Sequence, residues 1–143
     1  VRDIINEPGV SHTSLLEFPH NLEVTLEALR RRYRLGIVTS RNNAGVRQIF
    51  DQREIEHLFE VVVAFEDVEN PKPHPEPLQT ALKQLGITHA EAVYVGDMDS
   101  DIEAAQAAGM RSIHLSTKHH EGATVGIGHF DEIIDVIHRL ERA

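Results

Sequence analysis

From residue 20 onward the apolar positions alternate between two rhythms. Leu22, Leu26, Leu29 and Tyr33 recur at the spacing of one helix face, and Leu35-Gly36-Ile37-Val38-Thr39 follows as a continuous run that reads as a buried strand. Val46, Ile49 and Phe50 mark a second helix, and Val61-Val62-Val63-Ala64-Phe65 a second strand. His74-Pro75 opens a third helix whose inward face is Leu78, Ala81, Leu82 and Leu85, with Gly86 placed to cap its end. Ala92-Val93-Tyr94-Val95 is a third strand. Ser100-Asp101-Ile102-Glu103 then has the form of a capping box, for a helix ending near Gly109. Arg111 to Leu115 is a fourth strand, and Phe130, Ile133, Ile134, Ile137 and Leu140 give the last helix its apolar face. Apolar strands alternating with helices predict an α/β fold: a three-layer αβα Rossmann-like parallel sheet covered on both faces. Two segments break the rhythm. Residues 1–19 hold only the short patches Ile4-Ile5 and Leu15-Leu16 around Pro8-Gly9, and residues 116–129, with three glycines, read as an exposed loop.

Composition narrows the class. The chain has 143 residues, 41% hydrophobic and 26% charged, which suits one soluble globular domain. It has no cysteine, so thiol chemistry and disulfides are excluded. A net charge of −9 argues against nucleic acid as a partner, since such binding needs a basic surface. The longest apolar run, Val61 to Phe65, is far too short to span a membrane, and the first 20 residues carry Asp3, Glu7 and Glu17 without an apolar core. The expected setting is cytoplasmic, with no membrane partner.

In open parallel sheets ligands bind beyond the carboxyl ends of the strands. The first predicted strand ends in Thr39-Ser40-Arg41-Asn42-Asn43 just before a helix, a favourable place for an anion; capping of that helix by Thr39 or Ser40 is the plainer explanation of the pattern alone. The second leads into Asn70-Pro71-Lys72-Pro73-His74-Pro75, whose prolines stiffen the backbone and aim Lys72 at one point. The third ends in Gly96-Asp97-Met98-Asp99-Ser100-Asp101, three carboxylates that call for a hard cation such as Mg²⁺. Capping falls to Asp99 or Ser100 here, and metal work to Asp97 and Asp101.

Taken together, these motifs, in order and spacing and running on through Ala104-Ala105 to Ala108-Gly109-Met110, resemble the haloacid dehalogenase-like hydrolase superfamily, in its phosphoglycolate-phosphatase-like branch. The resemblance covers about residues 20–140. It implies a Mg²⁺-dependent phosphatase of a small phosphorylated metabolite. Thr39 would hydrogen-bond the phosphoryl group with the Ser40 amide, Lys72 would neutralise its charge, and Asp97 would bind Mg²⁺ with Asp101 beside it.

One departure outweighs the matches. The family's nucleophile is an aspartate in an Asp-x-Asp motif ending its first strand, whereas the only such pairs here are Asp97/Asp99 and Asp99/Asp101, which match the metal motif. By resemblance that first strand lies in the middle of the sheet. Residues 1–19 are therefore assigned to a remnant of the helical cap and residues 20–143 to a core lacking its first central strand and most of the cap. The absence of Met at Val1 suits a truncated chain. Three expectations follow: weak Mg²⁺ binding, no turnover by the chain as given, and self-association through unpaired central strand edges. The alternative is a non-catalytic phosphate-binding or interaction module that has lost the nucleophile. A transition-metal site built from His114, His119, His120 and His129 is a weaker idea, because their spacing favours solvated loop histidines.

Overall fold

The computed structural model describes residues 3–6, 22–116, 118 and 120–142. Six strands form one parallel sheet: β1 (Asp3–Asn6), β2 (Arg34–Val38), β3 (Phe59–Val63), β4 (Ala92–Gly96), β5 (Arg111–Leu115) and β6 (Val125–Ile127), in the spatial order β3-β2-β1-β4-β5-β6. Five helices connect or follow them: α1 (Leu22–Arg30), α2 (Asn43–Gln52), α3 (Glu76–Leu85), α4 (Asp99–Ala107) and α5 (Ile133–Arg142).

Strand residues alternate between two cores, as the period of two in a strand demands. Leu35, Val93, Val95 and Ile113 pack with Leu22, Leu26 and Leu29 of α1 and with Val136, Ile137 and Leu140 of α5. On the other face Val38, Val63, Ala92 and Tyr94 pack with Leu78, Ala81 and Leu82 of α3 and with Ala104 and Ala105 of α4. Both faces are covered, which establishes the predicted αβα architecture. Gly86 ends α3 in the left-handed conformation (φ 72°), where glycine carries no side-chain penalty.

Three sequence expectations change. The central position is not vacant: Asp3–Asn6 lies parallel between β2 and β4, with Ile4 opposite Leu35 and Val93. Residues 3–6 therefore belong to the sheet rather than to a cap remnant, while residues 7–19 of that assignment lie outside the described residues. The physical reason is that β2 and β4 each present a ladder of backbone donors and acceptors that must be paired, and β-branched residues such as Ile4 and Ile5 favour the extended conformation. The unpaired central edges expected to drive self-association are thus occupied. The second change is at Phe65: β3 runs two residues earlier than the apolar run implied, and Phe65 sits 53% exposed in a 3₁₀ turn beyond it. The third lies in segment 116–129, which is not all loop, because Val125–Ile127 pairs with β5 as an edge strand.

Candidate active site

The site grows from the carboxyl ends of the strands beside β1. Asn6, the last residue of β1, is opposite Ile37 on one side and Val95 on the other. Thr39 and Asp97 each lie two residues further along, so they leave the sheet at one height, flanking the central strand. Strands two apart in a sheet are separated by about 10 Å.

Thr39 is buried; its N–H donates to the Val63 carbonyl (2.9 Å), and its Oγ1 accepts the Arg41 N–H (3.1 Å). Ser40 is exposed at the mouth. Neither caps the next helix. Asn42 does so, its side chain accepting the Gly45 N–H at 2.8 Å, which leaves Thr39 and Ser40 to be explained by something other than capping.

Lys72 is drawn into the protein. Its side chain is 1% exposed, and Nζ donates to Asp101 Oδ1 (2.6 Å) and to the Tyr94 hydroxyl (3.0 Å). Asp101 is fully buried, and its second oxygen accepts the Met98 N–H at 3.0 Å. Gly96 makes this approach feasible: a Cβ there would lie 2.6 Å from Asp101 Oδ2. Capping of α4 therefore falls to Asp101, not to Asp99 or Ser100. The helix starts at Asp99, one residue ahead of the Ser100 box expected from sequence.

From the sequence Tyr94 reads as a strand residue leading into the Gly96–Asp101 motif, with no role of its own. Its hydroxyl accepts from Lys72 and donates to the Val38 carbonyl (2.9 Å), the peptide oxygen just before Thr39. One phenol thus joins the backbone leading to Thr39, the lysine of the proline-rich segment and, through that lysine, Asp101. A tyrosine in a run otherwise made of aliphatic residues was the available signal, since a buried phenol needs a partner.

These residues do not make a self-sufficient Mg²⁺ site. Both Asp101 oxygens are engaged, one by a cation, and among the described residues no group of three or more His, Asp or Glu is placed to hold a metal. The histidine site finds no support either. His114 is buried rather than solvated, and its Nδ1 accepts a backbone N–H from His120. His119 lies outside the described residues.

A doubly wound sheet with a buried lysine, a hydroxyl and carboxylates at its central strand ends defines an open α/β protein whose charged groups gather beyond the carboxyl ends of its strands. Residues 3–115 match the haloacid dehalogenase-like hydrolases, and the chain belongs to that family. Over 124 residues it is 37% identical to the phosphoglycolate phosphatase of Salmonella typhi and 36% identical to that of Escherichia coli K12. Each match covers 86% of this chain and 49% of the relative, so the chain spans about half the length of the curated relatives it matches. Among solved structures it resembles a subfamily IA hydrolase of the superfamily from Geobacter sulfurreducens (32% identity, TM-score 0.76, 84% of this chain and 56% of that one). It also resembles a phosphatase of the superfamily from Thermococcus onnurineus (30% identity, TM-score 0.78, 85% and 59%).

Proposed function

We propose that the chain carries the phosphate-binding and charge-stabilising part of a phosphatase acting on a small phosphorylated metabolite in the cytoplasm. The observation that supports it best is Lys72. A cation this deeply buried must be paired, and Lys72 is held by Asp101 and Tyr94 at the strand ends where Thr39 also emerges. In this reading the Thr39 hydroxyl and the Ser40 amide orient a phosphoryl group, and Lys72 offsets the charge that develops on its oxygens. In a water-poor site that preorganised charge is worth far more than it would be at the surface. Asp97 is the candidate ligand for Mg²⁺, which this chain alone binds weakly. Among the described residues no helix is long and apolar enough to cross a membrane.

A second reading, a phosphate-binding module without turnover, is favoured by one observation. The strand between β2 and β4 ends on Asn6, and a carboxamide cannot form the acyl phosphate that an aspartate forms. Phosphate release from phosphoglycolate and p-nitrophenyl phosphate in Mg²⁺ separates the two. The phosphatase reading expects background rates from the 143-residue chain and release by a longer version in which an Asp-x-Asp strand precedes Thr39. That release should be lost on Thr39→Val. Background rates from both versions favour the module. Release by the 143-residue chain that survives Asp97→Asn would place the chemistry elsewhere and overturn both readings.

A further inference from the structure

His114 is buried in β5 (1% exposed), and phosphate chemistry at the strand ends does not call on it. Its two ring nitrogens face different segments. Nδ1 accepts the His120 N–H (2.8 Å), and Nε2 lies 3.3 Å from the Asp97 carbonyl oxygen. An imidazole nitrogen that accepts an N–H carries no proton, so the proton sits on Nε2 and is donated to Asp97. The Asp97 carbonyl and the Met98 N–H belong to one peptide group. His114 holds that group by its oxygen, and Asp101 Oδ2 holds it by its N–H. The other Asp101 oxygen takes Lys72. A continuous hydrogen-bonded line therefore runs from Lys72 through Asp101, the Asp97–Met98 peptide and the His114 ring to the His120 backbone. Beyond it, His120 Nδ1 accepts the Gly122 N–H (2.8 Å), and its Nε2 lies 3.9 Å from Glu103 on α4.

We propose that His114 is a positioning residue that fixes the Asp97–Met98 peptide and ties the His120–Gly122 turn to it, so that the turn and the lysine–aspartate pair move as one unit. A buried ring held only for its bulk would make neither bond, whereas this one satisfies both nitrogens with partners from two different segments. The link to ligand binding rests on the phosphate reading above; the link between His114 and its two partners does not.

The test separates the two ends of the ring. In His114→Asn the side-chain oxygen takes the place of Nδ1, keeping an acceptor for His120 and losing the donor to Asp97. In His114→Gln the side-chain nitrogen takes the place of Nε2, keeping the donor and losing the acceptor. Amide hydrogen exchange and ¹⁵N–¹H spectra of the 143-residue chain are recorded for the parent and both variants, with and without inorganic phosphate. The expected result is a split. Exchange at the His120 amide quickens about fivefold in His114→Gln and not in His114→Asn, as loss of one hydrogen bond predicts. The Met98 amide resonance moves in His114→Asn and not in His114→Gln. Phosphate shifts the His120 and Gly122 amides in the parent and in neither variant, because each breaks the line at one bond. Identical behaviour of the two variants, whether both like the parent or both disrupted alike, overturns the proposal. Phosphate that leaves the parent's Thr39–Arg41 amides unmoved counts against the phosphate reading, while the exchange split still decides the role of His114. Phosphate that moves Thr39–Arg41 but not His120 overturns the coupling.

Discussion

The two ends of the sheet both carry cations, in opposite circumstances. At the carboxyl end Lys72 is 1% exposed and clasped by Asp101 and Tyr94. At the amino end a recess of about 300 Å³ is lined by Arg32, His138, Glu141 and Arg142, and the Arg32–Glu141 pair there is 56% and 36% exposed at 3.5 Å. The open recess has more positive groups, yet water and salt screen them, and long arginine side chains lose entropy in any fixed pose. The buried lysine has no such freedom. Its ammonium is fixed against Asp101 and Tyr94 and shielded from water. In the proposed function the burial and position of the charge matter more than its amount.

Breaking the buried pair should have the largest effect. Lys72→Met leaves the Asp101 carboxylate buried without its countercharge, and should cost about 3–5 kcal/mol of unfolding free energy in urea. Next comes Tyr94→Phe, which strands the Val38 carbonyl and removes an acceptor from Lys72. It should cost about 1–3 kcal/mol by the same measurement, and weaken phosphate binding without changing the far-ultraviolet circular dichroism. A smaller effect comes from the amino end, where burial and then the hydrogen bond and charge of Glu141 push the Tyr33 phenol up to about 12 from an ordinary 10. The fold favours the protonated phenol, so this contribution is whole below pH 10 and is lost as pH climbs from 10 to 12. Urea midpoints across that range should fall more steeply in the parent than in Tyr33→Phe. Smallest of all is the exposed pair Arg47–Glu56, 2.6 Å apart at the surface. Arg47→Ala should leave the urea midpoint unchanged within error, and an effect as large as that of Lys72→Met would sink the argument that burial decides.

How far the chain could be read without coordinates follows from which signals are local. Helix faces such as Leu22, Leu26 and Leu29, and strands such as Ala92–Val95, are written in nearest-neighbour periodicity and were legible. So was the aim of Lys72, because prolines on both sides restrict its backbone. The strand Asp3–Asn6 was not, since four residues carry no period and only the pairing needs of β2 and β4, distant in sequence, call them into the sheet. Val125–Ile127 was missed for the same reason, with a glycine at its centre. In the site, Thr39, Lys72, Asp97 and Asp101 were named, but the partnership of Lys72 with Asp101 spans 29 residues and the Tyr94–Val38 bond 56. Such contacts exist only once the strands are side by side. The double duty of Asp101, as lysine partner and as cap of its own helix, is invisible to a pattern that assigns one role to each acid.

The central claim is that the carboxyl end, and not the arginine-lined recess, is the anion site. An NMR titration of the 143-residue chain with inorganic phosphate tests it most directly. The account predicts saturable shifts at the Thr39, Ser40 and Arg41 amides and at the Lys72 side chain, absent in Thr39→Val, with Arg32 and Arg142 unmoved. Saturable shifts confined to Arg32, His138 and Arg142, or no saturable shift at the strand ends at all, would contradict it.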